Sequence, residues 1–183
     1  MEDYNGYETV KERLILAGIS ELQTHSIEDL SLRKISKICN VSCAAPYKHF
    51  ENKQDFINQI ILYISNQWEK LKIQVIEAFS NDSKTQVIEV SIAYIKFCMA
   101  NPTFTNVMNM KSSHSKSNSY LIENDGIIRK YCENKFTDKE VCENKIYIIN
   151  SLIYGTVNMI NSGIIDNSSN VIDRIRKILN AEL

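Results

Sequence analysis

The feature that most constrains this chain is its shortage of chain-breaking residues, with two prolines and five glycines in 183 positions. Sheet proteins spend such residues on their turns, whereas here apolar residues recur at three- and four-residue steps nearly throughout. The expectation is an all-α protein. Hydrophobic residues at 44% and charged residues at 23% are the proportions of an ordinary globular chain, which leaves no ground for a disordered, collagenous or coiled-coil reading. The longest mainly apolar stretch, Ile146 to Ile165, is broken by Asn150, Asn158, Asn161 and two glycines, so it fails as a membrane span. Five cysteines (Cys39, Cys43, Cys98, Cys132 and Cys142) form an odd set without C-x-x-C, and no leader-peptide pattern opens the chain. A cytoplasmic location is expected.

Helix signals divide the chain into a small N-terminal domain, residues 1–52, and a larger one, residues 53–183. A first helix is expected from Thr9 to Gln23, with Val10, Leu14, Ala17 and Leu22 along its apolar stripe. A second begins at Ser31, whose hydroxyl can cap it, with Leu30 and Ile35 placed as a hydrophobic staple. Leu32, Ile35 and Cys39 form its buried face. At Asn40 the helix must stop, and Asn tolerates the left-handed conformation that helix ends commonly need. Val41 follows as the buried anchor of the turn. Ser42 caps a third, short helix through Phe50, in which Pro46 distorts the first turn. Asn52 caps a long helix reaching about Phe79, and Ser80 to Lys84 reads as a linker. Val87 to Met99 is apolar on nearly every face, as a helix inside a bundle would be, and Asn101-Pro102 stops it. A short helix Thr103 to Met110, an exposed loop Lys111 to Ser119, and helices Tyr120 to Lys135, Asp138 to Ser162 and Ser169 to Leu183 complete a bundle of about five or six helices.

Two short helices joined by a tight turn, Ser31 to Ile38 and Ser42 to Phe50, have the layout of a helix-turn-helix. Small Ser36 sits where the pair must approach closely. The net charge of −1 excludes a polycation as a whole, yet between Ser31 and Lys53 stand Arg33, Lys34, Lys37, Lys48 and Lys53 against Glu51 alone. Phosphate attraction supplies most non-specific affinity for DNA, so this basic segment marks where a duplex would lie.

The run from Leu30 to Lys53, Leu-Ser-Leu-Arg-Lys-Ile-Ser-Lys-Ile-Cys-Asn-Val-Ser-Cys-Ala-Ala-Pro-Tyr-Lys-His-Phe-Glu-Asn-Lys, resembles the N-terminal signature of the TetR/AcrR family of transcriptional regulators. That signature is T/S-L-R-x-I-A-x-x-A-G-V-S, a variable trio, then L/P-Y-x-H-F-x-x-K, and the register holds without a gap. Leu14-Ile-Leu-Ala-Gly resembles the family's first helix, so the likeness covers about the first third of the chain. The resemblance implies a homodimeric, ligand-responsive repressor on a palindromic double-stranded operator. Ser31 and Arg33 would touch phosphate, Tyr47, Lys48 and His49 would line backbone and groove, and Lys53 would reach phosphate. Ser42 caps the reading element, while Cys43, Ala44 and Ala45 hold the base-reading positions. Such small side chains favour thymine methyls and DNA shape over bidentate base contacts. Ser26 and Asn40 stand where the family usually has Gly, and Ser36 where it usually has Ala. Farther on, Ala93-Tyr-Ile-Lys-Phe-Cys-Met-Ala-Asn-Pro with Phe104 and Met108 resembles the A-Y-x-x-F-A-x-x-N-P-x-x-F-x-x-M run of one branch. That branch's W-x-x-x-H-G is replaced here by Asn150 and Tyr154-Gly155.

By the same resemblance Trp68, Tyr94, Phe97, Phe104, Met108, Tyr120 and Tyr147 would line a pocket for a small apolar or amphipathic effector; ordinary core is the equal alternative for each. Ile149, Leu152, Ile153, Thr156, Met159, Ile160, Val171, Ile175 and Ile178 are more apolar surface than one chain needs and suggest a four-helix dimer seam. Phe50 is read as core, and His49 equally as structural donor or DNA contact. Cys39 and Cys43 with His49 fall short of a zinc ligand set, so no metal or cofactor is expected; Cys43 is the better redox candidate of the two. Histidines only at 25, 49 and 114, with no catalytic triad or carboxylate pair, argue against an enzyme. The alternative from another class is a helical small-molecule carrier or enzyme with a vestigial helix-turn-helix.

Overall fold

The computed structural model describes residues 9–102 and 125–183. Within them the structure is all-helical, with seven α-helices, one short 3₁₀ turn and no strand among the described residues. The helices are α1 (Val10–Leu22), α2 (Leu32–Ile38), α3 (Lys53–Ala78), α4 (Ser83–Ala100), α5 (Asp125–Lys135), α6 (Lys139–Asn161) and α7 (Ser169–Glu182). The expected helix Thr103 to Met110, the loop Lys111 to Ser119 and the start of the helix at Tyr120 lie outside the described residues. No described helix is long and apolar enough to cross a membrane.

The chain forms two compact units, Met1–Asn66 and Gln67–Leu183, and the division falls inside the 26-residue α3. Residues 53–66 group with the N-terminal unit because Phe56, Ile57, Ile60, Ile61 and Ile64 complete its core with Leu14, Ile15, Leu22, Leu30, Leu32, Ile35 and Phe50. Helix α1 opens on a full capping box: the Thr9 hydroxyl accepts from the Glu12 amide and the Glu12 carboxylate accepts from the Thr9 amide. That carboxyl is held below its usual range by the two hydrogen bonds from Thr9. Gly18, in the middle of α1, allows a close approach to α3: a Cβ there would meet the Phe56 ring at 2.6 Å and Ile60 Cδ1 at 2.7 Å.

The second unit is built around α4, which buries Val87, Ile88, Val90, Ser91, Ile92, Tyr94, Ile95 and Cys98. Asp82, inside the expected linker, starts this helix four residues earlier than the apolar run indicates, its carboxylate accepting from the Lys84 and Thr85 amides. Helices α5, α6 and α7 contribute Ile128, Cys132, Cys142, Ile146, Ile149, Ile153, Val157, Ile172, Ile175 and Leu179 to the same core. Helix α7 is also pinned at its rim: Arg176 pairs with Glu89, Glu182 with Lys145 at 3.0 Å, and Lys84 Nζ donates to the Asn180 carbonyl at 2.8 Å.

Gly18→Ala sets two effects against each other, about 1 kcal/mol of helix propensity gained and about 1–3 kcal/mol lost to overpacking. Three carbons inside 3 Å make the overpacking dominant. The expected outcome is a net loss of about 1 kcal/mol, read as a lower urea midpoint with an unchanged m-value; a midpoint at or above that of the parent refutes it.

Candidate functional site

The turn between α2 and the following segment is a Schellman closure centred on Asn40. Its φ of 51° makes it the one non-glycine residue among those described with left-handed backbone. The Val41 amide donates to the Ser36 carbonyl at 3.0 Å and the Asn40 amide to the Lys37 carbonyl at 3.1 Å, which satisfies two of the helix-end acceptors. Ser36 is fully buried at the close approach and its Oγ donates to the Arg33 carbonyl at 2.8 Å. Val41, expected as a buried anchor, is half-buried. Ser26 forms its own turn, its Oγ donating to Asp29 Oδ2 at 2.8 Å without left-handed backbone, so glycine is not required there.

Two local expectations are corrected. Ser31 has the extended backbone of a cap, but its exposed hydroxyl makes no capping bond; at the surface water can take that role. The helix expected from Ser42 to Phe50 is a turn at Cys43–Ala44 followed by a 3₁₀ turn, Pro46–Lys48. Proline has no amide hydrogen to return to the Ser42 carbonyl, which instead accepts from the Ala45 amide at 2.9 Å. The Lys48 and His49 amides then close i to i+3 bonds onto Ala45 and Pro46, the tighter winding. The effect is a compact double turn rather than a rod.

The side chains of that element divide cleanly. Pro46 and Phe50 are buried, with the Phe50 ring edge-on to Phe56 at 4.7 Å, while Tyr47 (56% exposed), Lys48, His49, Ser42, Cys43 and Ala44 face solvent and Ala45 is half-buried. Phe50 is therefore core. Arg33, Lys37 and Lys48 are exposed and make no ion pair among the described residues, while Lys34 is paired with Glu21 at 2.5 Å. Lys53 is half-buried, and its Nζ donates to the Glu28 carbonyl at 2.8 Å, bridging the start of α3 to the α1–α2 loop. Cys39 is half-buried, with its Sγ donating to the Arg13 carbonyl at 3.4 Å and burial raising its pKa; Cys43 is exposed.

In the second unit the rings of Trp68, Tyr94 and Phe97 come together, with Trp68 edge-on to Tyr94 at 5.1 Å and tilted on Phe97 at 5.5 Å. Tyr154 joins them, perpendicular to Tyr94 at 6.1 Å, from the position where the branch motif has His. The resemblance pointed to Tyr147 instead, which is 73% exposed. Phe104, Met108 and Tyr120 lie outside the described residues. Cys98, buried beside this cluster and hydrogen-bonded to Tyr94, has its thiol pushed up to about 12 by burial. No described group of three His, Cys, Asp or Glu could hold a metal ion.

The residues read as a dimer seam separate by one step along α6. Ile149, Ile153 and Thr156, with Ile175 on α7, are buried within the chain. Met159 and Ile178 are exposed, and Leu152, Ile160 and Val171 half-buried. Sequence reasoning missed Val141 and Ile148, both exposed, which repeat at seven residues with Gly155 and share its side of α6; that spacing was the available signal.

No model of a known protein family matches the sequence. The fold has clear counterparts among solved structures. A protein of unknown function from Rhodococcus sp. RHA1 superposes with a TM-score of 0.73 at 16% identity, over 100% of this chain and 99% of that one. A TetR-family transcriptional regulator from Bordetella parapertussis 12822 gives 0.66 at 12% identity, over 94% and 95%. A TetR variant from Acinetobacter baumannii AYE in complex with minocycline gives 0.60 at 12%, over 96% and 94%. The architecture is thus one shared with TetR-family regulators.

Replacing Lys53 by Met removes a charge-assisted bond to a backbone carbonyl, a class worth about 1.5–3 kcal/mol when buried and less at this half-exposed position. The expected result is a thermal midpoint lowered by a few degrees. An unchanged midpoint would show that the bridge to Glu28 contributes nothing.

Proposed function

We propose that this protein is a transcriptional regulator that binds a palindromic DNA operator as a homodimer and responds to a small molecule held in its C-terminal unit. The observation that carries the reading is that Arg33, Lys37 and Lys48, with Tyr47, stand exposed on the helix-turn-helix segment and the three cations make no ion pair among the described residues. Unpaired cations at that position are what phosphate contact requires, since an ion pair within the chain would have to be broken first. Tyr47, Lys48 and His49 then line backbone and groove, Ser31 and Arg33 take phosphate, and Ser42 to Ala45 face the bases. With only Cys43, Ala44 and half-buried Ala45 to read them, specificity rests on thymine methyls and groove shape. Lys53, committed to Glu28, reaches phosphate only by giving up that bond.

Dimerisation follows from the apolar side of α6 and α7. Val141, Tyr147, Ile148, Met159 and Ile178 are the large apolar side chains of these helices that stand exposed, and a two-fold pairing that covers Val141, Ile148, Met159 and Ile178 forms a four-helix seam. Two reading elements are then held one helical turn of DNA apart, about 34 Å. An effector that favours another spacing shifts the population away from the bound form and makes the protein a ligand-responsive repressor. The minocycline-bound variant supports placing the effector in this fold, and the ring cluster of Trp68, Tyr94, Phe97 and Tyr154 is the site favoured here.

Gel-shift titration of the protein on the DNA upstream of its own gene tests the reading; no shift at low salt with purified dimer refutes it. Lys48→Ala is expected to weaken binding alike on all sequences and to reduce the slope of log affinity against log salt by about one. An unaltered slope removes Lys48 from the phosphate contacts. Ile148→Glu is expected to give monomers by sedimentation and to abolish operator binding while leaving the helical content intact. A dimer that persists places the seam elsewhere.

A further inference from the structure

The C-terminal unit satisfies its buried polar side chains with one exception among those described. Ser91 Oγ donates to the Val87 carbonyl at 2.7 Å, Thr156 Oγ1 to the Leu152 carbonyl at 2.6 Å, and the Tyr131 hydroxyl to the Leu183 carbonyl at 2.9 Å. Trp68 is 0% exposed and its indole Nε1–H has no acceptor. Leaving a donor buried and unpaired is costly, and a phenylalanine would keep an aromatic ring there without that cost. The residue is also the single tryptophan of the chain.

We infer that Trp68 is the polar anchor of the effector site: it donates from Nε1 to one oxygen acceptor on an otherwise apolar, uncharged molecule. The inference rests on the effector reading above and adds the chemistry of the ligand. The rings against Trp68 are those of Tyr94 and Phe97, which offer apolar surface to the body of such a molecule. Charge is disfavoured by what lies around. The described cations of this unit are engaged or solvent-facing: Lys72 pairs with Glu69, Arg129 with Glu143, Lys145 with Glu182, Arg176 with Glu89, and Lys84 bonds to the Asn180 carbonyl. The remainder are exposed. A carboxylate beside Trp68 would be desolvated with one neutral donor and no buried, uncommitted counter-charge among the described residues, which costs far more than burying a carbonyl that accepts a hydrogen bond. A donor-only group such as an ammonium leaves the indole hydrogen unpaired.

Three probes of one ring skeleton test this on the full-length protein: indan-1-one with a neutral acceptor, indane with none, and indane-1-carboxylate with a charged one. By titration calorimetry indan-1-one is expected to bind at least about tenfold more tightly than either of the others, and Trp68→Phe is expected to abolish the preference over indane while leaving indane within twofold. In the wild-type protein labelled with ¹⁵N, the single indole N–H cross-peak is expected to move downfield with indan-1-one and not with indane, a readout that stands even if the variant does not fold. Equal affinity for ketone and hydrocarbon, a preference for the carboxylate, binding of none of the three, or a ketone preference that survives Trp68→Phe would each overturn the proposal. No readout uses DNA. A ketone-selective protein that never shifts an operator fails the regulator reading alone, and an operator-binding protein blind to the carbonyl fails this one alone.

Discussion

The first three turns of α3 are the surface on which the rest of the N-terminal unit is assembled. Phe56 and Ile60 receive α1 at Gly18, and Phe56 receives the ring of Phe50 from the Ser42–Phe50 segment. A single aromatic side chain thus fixes both the helix that starts the unit and the turn that carries exposed Lys48. Because interiors are packed to crystalline density, a displacement at Phe56 is passed to Phe50 rather than absorbed. The orientation of Tyr47 and Lys48, three and two residues before Phe50, depends on that contact. The two faces of the short element follow: Pro46 and Phe50 are fastened inward, and the residues between them have nowhere to go but outward.

Much of this was legible in the residues, and the reasons differ from place to place. Asn40 was readable because few residues after Gly tolerate left-handed backbone, and the φ of 51° is the local consequence. Thr9, Asn52 and Asp138 act as caps because their side chains reach first-turn amides, a rule of short range that sequence carries well. The segment Ser42 to Phe50 defied the same rule. A cap and apolar spacing argue for a helix there, but one missing amide hydrogen at Pro46, in an element only two turns long, leaves too few i to i+4 bonds to sustain it. The cost of a proline at a helix entrance is small when many turns follow and decisive when they do not.

Side-chain commitments were less legible than backbone. Counting charges between Ser31 and Lys53 treats all five cations alike, whereas folding sorts them: Lys34 is drawn to Glu21 and Lys53 to the Glu28 carbonyl, 25 residues away in sequence, while Arg33, Lys37 and Lys48 remain open. Long-range pairing of this kind leaves no periodic trace. The α6 stripe shows a related limit. A helix that carries apolar side chains outside its buried face as well as on it is apolar over a wide arc, so its sequence does not separate Ile148 from Ile149, one facing out and one fully buried. Tyr147 and Tyr154 are likewise seven apart, yet the core takes the second and leaves the first on the surface.

The orphaned donor at Trp68 sets the stability of the C-terminal unit against its use. A buried tryptophan contributes more apolar area than any other side chain, and two neighbouring rings, Tyr94 edge-on and Phe97 tilted, add to it. That gain is large enough to carry an unpaired N–H without unfolding the unit. The same imbalance makes the free state the one with a hydrogen bond missing, so a molecule that supplies an acceptor is worth more to this fold than its apolar contacts alone. Selectivity then arises from the penalty rather than from added contacts: a hydrocarbon of equal shape leaves the indole as it was, and a carboxylate exchanges one unpaired group for a costlier one. In the regulator proposed above, that difference between ligands would be the quantity available to move the equilibrium between forms that do and do not bind DNA.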